Sequence, residues 1–169
     1  AILRAQLRAQ RRALPPDARA AAARAVCRAA LARPEIARAR RVMAYRAARG
    51  ELDVDPLAAA LTQRGVEIYY PRVVGDGMEA VPAGLGFRRG TYGIQEPCGE
   101  GLPPEQLHLD LVLTPLVAMD RRGGRLGQGG GYYDGFLPRL PGAPLLVGVG
   151  YFFQLIDRVP VQGHDVLLH

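Results

Sequence analysis

At 169 residues, with about half of them apolar and a near-average charged fraction, the chain is sized for one folded domain and excludes a disordered or fibrous protein. The net charge is +6, yet all 22 basic residues are Arg; without a lysine, a GxxxxGK[ST] phosphate loop and Schiff-base chemistry are both excluded. Two cysteines, Cys27 and Cys98, are too few for a disulfide framework or a four-ligand zinc site.

The opening AILRAQLRAQRRAL predicts a helix. Leu3, Leu7, Gln10 and Leu14 fall on one stripe at helical spacing, and Arg4, Arg8, Arg11 and Arg12 gather on a face about 100° away. That face is either solvated or set against phosphate. Pro15-Pro16-Asp17 stops the helix, and an Ala/Arg-rich second helix follows to Arg33. RRVMAYRA from Arg40 reads as a strand; Asp55 is placed to cap the next helix, with Pro56 at its first position and Gly65 as its stop. VEIYYPRVV is a second strand, and the single helix between the two predicts a parallel crossover.

From Gly75 to Glu105 the pattern is irregular. Leu109 to Met119 is the most continuous apolar run and predicts a buried central strand. RLGQGGGYYDGF follows, then a short helix, a buried strand in PLLVGVGY, and a closing turn and strand. The order predicts an α/β fold: one compact domain over residues 1–169, with a mixed, largely parallel central sheet flanked by helices. The longest uncharged stretch, Leu140 to Ile156, is broken by Pro141, Pro144 and several glycines, so no membrane span is predicted; a cytoplasmic protein is expected.

A strand, a glycine-rich loop and a helix start form a common phosphate cradle, because glycine lets the backbone approach closely and the loop and helix supply free N–H groups. Glycines at 127, 129, 130 and 131 fit that device, whereas the dinucleotide pattern GxGxxG fails at Tyr132. Asp134 beside an anion calls for an intervening cation, and magnesium takes one or two carboxylates together with phosphate oxygens. On the residues alone a turn or cap is the ordinary role of Asp165. Tyr132 and Tyr133 point about 100° apart on a helix, so at least one is free to face a ligand.

LTPLVAMDRRGGRLGQGGGYYDGFL, GVGYFFQL and VPVQGHDV, preceded in order by LRAQLRAQRRAL, AYRAARGELDVDPL, YYPRV and GIQEP, strongly resemble the 5-formyltetrahydrofolate cyclo-ligase family over nearly the whole chain. The resemblance implies an ATP- and magnesium-dependent enzyme that closes 5-formyltetrahydrofolate to 5,10-methenyltetrahydrofolate. It implies ATP contacts at Arg4, Arg125, Leu126, Gly127, Gln128, Gly129, Gly130, Gly131, Tyr132 and Tyr133, with Arg125 and Tyr133 catalytic. Folate contacts fall on Arg46, Glu51, Tyr92 and Tyr132, and magnesium carboxylates on Asp134 and Asp165. A monomer acting on a small molecule, without nucleic acid or membrane, is expected.

The chain departs from the family pattern in three ways. The family's N-terminal lysine falls just ahead of residue 1, Gln128 and Gly130 stand where some members carry basic residues, and the sequence ends soon after HDV. Phosphate charge is therefore assigned to Arg125, Arg121 or Arg122, and magnesium. The alternatives are a basic nucleic-acid-binding module presenting the first helix, and a family member that binds folate or nucleotide without turnover.

Overall fold

The computed structural model describes residues 1–90 and 93–169. The chain opens with α1 (Ile2–Ala13), α2 (Pro16–Leu31) and the single turn α3 (Pro34–Ala37), then enters β1 (Arg41–Met43). Helix α4 (Asp55–Gln63) leads to β2 (Glu67–Val74) and β3 (Gly77–Pro82), and a small hairpin of β4 (Phe87–Arg89) and β5 (Gln95–Pro97) follows. The second half contains β6 (Leu111–Pro115), the two-residue strands β7 (Ala118–Met119) and β8 (Arg125–Leu126), α5 (Tyr132–Phe136) and β9 (Leu145–Val149).

The main sheet runs β3-β2-β1-β6-β9. Its pairings are parallel except β2 with β3. The predicted α/β fold and the parallel β1-α4-β2 unit are both present.

Period-2 alternation divides the core. Val42, Ala44, Leu111 and Leu113 face α4, where Leu57 and Leu61 are buried, while Met43, Val112 and Leu146 face Phe136, Leu137 and Leu140 on the other side. A third cluster joins Leu7 of α1 to Val117, Ala118 and Val159, fastening the first helix against the β7–β8 hairpin. A buried leucine of this kind stabilises by about 2 kcal/mol, enough to fix where α1 lies.

Four expectations need correction. The apolar stripe of α1 includes Arg11, 1% exposed, in place of the exposed Gln10. The segment read as irregular contains β3, β4 and β5. Only one of the six residues in β4 and β5 is buried, so the apolar periodicity is weak there. The long strand ends at Pro115, which has no N–H for a further ladder bond, and extended chain resumes three residues later as β7. The last residues form no strand; His169 attaches by two bonds to Leu146, its N–H donating to the Leu146 carbonyl at 2.9 Å and its Nδ1 accepting the Leu146 N–H at 2.8 Å.

Candidate active site

Parallel strands direct their carboxyl ends to one edge of a sheet, and ligands in such folds bind in the crevice beyond that edge. Here that edge opens on a cavity of about 560 Å³, within the range of small-molecule sites. Tyr45 and Arg46 enter it beyond β1, Pro71 and Arg72 from β2, and Pro115 from the end of β6. The glycine loop and α5 form another wall, and His164 and Asp165 close one side.

The loop itself is open main chain. Gly129, Gly130 and Gly131 are exposed, and the N–H groups of residues 128–131 have no acceptor among the described residues. Gly129 (φ 105°) and Gly131 (φ 70°) occupy the left-handed region, which an L side chain enters only with strain. Helix α5 is barely more than one turn, so the loop's own N–H groups carry the capacity for anions that the sequence assigned partly to a helix terminus.

Cations reach the loop from α1. Arg4 Nε donates to the Gly127 carbonyl at 3.1 Å, and Arg8 Nη2 donates to the Gln128 carbonyl at 2.7 Å. Arg11 points elsewhere, with its Nε donating to the Arg49 carbonyl (3.1 Å) and its Nη1 to that of Leu116 (3.2 Å). It thus clamps the turn carrying Glu51 to the end of β6, and burial lowers its pKa. Three of the four helix arginines are engaged inward, and Arg12 is exposed. Arg121 and Arg122 are exposed on the β7–β8 turn, outside the cavity lining, so the phosphate charge assigned to them by sequence is misplaced.

Arg125 is buried, with its side chain 4% exposed, and its Nη2 pairs with Asp134 Oδ1 at 3.0 Å. Its guanidinium lies 5.4 Å from the centroid of the Tyr133 ring. Arg125 Nε and the Tyr133 hydroxyl are buried without a partner among the described residues. Burial, reinforced by Glu51, pushes the Tyr133 phenol far up, so it remains a neutral donor.

Glu51 also lies in the cavity wall. Its Oε2 accepts the Ala48 N–H (3.0 Å) and its Oε1 accepts Gln128 Nε2 (2.8 Å). Burial raises its pKa, opposed by those bonds and by Arg11. Arg46 holds Asp55 at 2.6 Å and stacks 4.5 Å from the centroid of Phe87. The expected cap is one step displaced: Asp55 lies inside α4, and Asp53 Oδ1 accepts its N–H at 2.8 Å.

Asp134 and Asp165 line the same cavity, and Asp134 Oδ1 also receives the Val166 N–H at 3.4 Å, which ties the two acidic segments together. No group of three or more His, Cys, Asp or Glu suited to a metal occurs among the described residues. Two carboxylates lining one cavity fit magnesium, which takes one or two protein carboxylates together with phosphate oxygens.

Of the site residues read from sequence, Tyr92 lies outside the described residues. The cavity brings all the others together: Arg4, Arg46, Glu51, Arg125, Leu126, Gly127 to Gly131, Tyr132, Tyr133, Asp134 and Asp165. Sequence reasoning named Arg8 only as one of four arginines on a face open to solvent or phosphate, and it missed Tyr45, whose hydroxyl donates to the Leu52 carbonyl at 2.6 Å and steadies the Glu51 turn.

A sequence profile of the 5-formyltetrahydrofolate cyclo-ligase family matches residues 1–169. The chain belongs to that family. The Escherichia coli K12 protein named 5-formyltetrahydrofolate cyclo-ligase is 30% identical over 96% of this chain and 93% of its own length. The yeast protein of the same name is 31% identical over 97% and 90%. A match to the Mycolicibacterium smegmatis cyclo-ligase, 35% identical, spans 48% of this chain and 45% of that protein. In three dimensions the chain is similar to the Aquifex aeolicus 5,10-methenyltetrahydrofolate synthetase, with a TM-score of 0.83 and 32% identity over 98% of this chain and 84% of that one. The Mycoplasma pneumoniae synthetase gives 0.75 and 25%, over 99% and 93%. Proteins with these names are enzymes, and so is this family member. No helix among the described residues is long and apolar enough to cross a membrane.

Proposed function

We propose that residues 1–169 act as one catalytic unit, a cytoplasmic monomer that converts 5-formyltetrahydrofolate to 5,10-methenyltetrahydrofolate at the expense of ATP, with magnesium. The observation that carries the reading is the junction of two half-sites in one cavity: a bare glycine loop with inward arginines on one side, and a half-buried carboxylate, Glu51, on the other.

A formamide oxygen is a weak nucleophile, and hydroxide is a poor leaving group. In the proposed sequence the N5-formyl oxygen attacks the γ-phosphorus of ATP, the bond to the bridging oxygen breaks, and ADP leaves with that electron pair. N10 then attacks the activated formyl carbon. Its proton passes to the departing phosphate as the carbon–oxygen bond breaks, which leaves the methenyl bridge between N5 and N10.

The chain's part is positioning and charge neutralisation. Loop N–H groups and Arg4 bind the triphosphate; Arg125, already desolvated, neutralises charge as the terminal phosphate is transferred. Glu51 accepts from the pterin's donor edge, and Arg46 and Tyr132 border the folate. Tyr133, a neutral buried hydroxyl without a partner among the described residues, donates to the reacting oxygen. Magnesium held by Asp134 and Asp165 would supply further charge neutralisation on the phosphate oxygens. That role requires Asp134 to share or exchange its bond with Arg125.

The test is direct. Purified protein given 5-formyltetrahydrofolate, ATP and magnesium should develop the absorbance of the methenyl product, and omission of ATP should abolish it. Binding of both substrates without absorbance would replace this reading with a member that has lost turnover.

A further inference from the structure

Gln128 stands in the glycine loop between two charged groups. On one side its side-chain oxygen accepts Arg8 Nε at 3.1 Å; on the other its Nε2 donates to Glu51 Oε1 at 2.8 Å. Arg8 Nη2 also holds the Gln128 main-chain carbonyl at 2.7 Å. The amide dipole can face only one way: turned over, it would set its NH2 against a guanidinium and its oxygen against a carboxylate. A continuous chain therefore runs from α1 through the phosphate loop to the carboxylate on the folate side.

We infer that Gln128 is a positioning residue that couples nucleotide binding to folate binding, with Arg8 setting its amide. This rests on the proposed function, which places folate at Glu51 and phosphate at the loop. Any nucleotide that draws Gln128 or its loop inward takes the Gln128 donor from Glu51, a half-buried carboxylate that then keeps only the Ala48 N–H. Losing a donor to a partly buried carboxylate is costly, so nucleotide binding is opposed. When a pterin supplies its own donors to Glu51, that cost disappears and the Gln128 NH2 is released toward phosphate oxygens. Folate thus tightens nucleotide, and by linkage nucleotide tightens folate by the same factor. A neutral glutamine suits this exchange better than a basic residue would, since a cation at this position would hold Glu51 too firmly to be displaced by a neutral ring edge.

The experiment is calorimetric titration of the full chain with magnesium and a non-hydrolysable ATP analogue, in the presence and absence of saturating 5-formyltetrahydrofolate. In the wild type, folate should lower the nucleotide Kd about tenfold, within the usual span of coupled sites. In Gln128→Ala the two Kd values should coincide, and Arg8→Met should reduce the ratio because the amide is free to turn. A ratio of one in the wild type, or an undiminished ratio in Gln128→Ala, would overturn the inference. Failure of the wild type to bind either ligand would instead overturn the proposed function.

Discussion

Two glycine-containing loops lie within a dozen residues of each other, on either side of β8, and they have opposite character. The turn from Asp120 to Gly124 is closed on itself. Asp120 Oδ1 accepts the N–H groups of Arg122 and Gly124, each at 2.9 Å, and Oδ2 accepts that of Val159 at 2.7 Å. Those N–H groups, Val159 first, hold its carboxyl below the usual range. A Cβ on Gly123 would lie 2.5 Å from the Leu168 carbonyl oxygen, so chain packs on chain. In the loop from Gly127 to Gly131, by contrast, a Cβ on Gly129 or Gly131 would meet nothing. Composition does not distinguish the two. What does is whether the main chain's donors have been used: the first loop has used them for the fold, and the second leaves them open among the described residues.

Substitutions should divide along that line. The largest effect is expected at the metal end of the open loop. Asp134→Asn keeps an acceptor for Arg125 but loses the negative charge, and should lower magnesium-dependent kcat by about 10³-fold, the scale of a lost electrostatic partner in such reactions. Its Tm should fall as well, because the buried Arg125 loses its counter-charge, and a kcat near the wild-type value in the folded variant would remove Asp134 from the metal assignment.

Next come the glycines. Gly123→Ala meets both a positive φ of 87° and the Leu168 main chain, and should cost about 3 kcal/mol, seen as a fall in Tm of roughly 8 °C. Gly129→Ala meets strain alone, about 1 kcal/mol, and its main readout should be a raised KM for ATP. Equal Tm losses in the two variants would erase the contrast.

Asp120→Asn places an NH2 where the Val159 N–H now finds an acceptor and should destabilise by about 2 kcal/mol, measured by urea unfolding near neutral pH. A depressed folded-state pKa gives stability that is present above the unfolded value, about 3.9, and lost as pH falls through the folded one. The gap between wild type and variant should therefore be full at pH 5 and above, and close as the solution is acidified below about pH 4. The smallest effect belongs to Arg121→Ala, on the exposed rim of the closed turn: stability within about 0.5 kcal/mol and an unchanged KM for ATP.

The sequence carried the order of the main helices and buried strands because a buried strand advertises itself by an apolar run, as in Leu111 to Leu113, α1 by its period, and α2 and α4 by their proline starts. It carried the open loop because only glycine suits Gly129 and Gly131. It could not carry contacts between distant segments. Nothing local in LRAQRRAL separates Arg11, buried under the Arg49 turn, from exposed Arg12; burial is decided by partners 38 and 105 residues away. The Arg125–Asp134 pair and the Arg8–Gln128–Glu51 chain were hidden for the same reason. The β3–β5 region was illegible because its strands are short, edge-facing and interrupted by glycine and proline.

The most direct test of the open loop is an amide NMR titration of 15N-labelled protein with magnesium and a non-hydrolysable ATP analogue. The N–H signals of Gly129, Gly130 and Gly131 should shift in proportion to occupancy, while those of Gly123 and Gly124 stay in place. Still signals from Gly129 to Gly131 at saturating nucleotide would contradict the account.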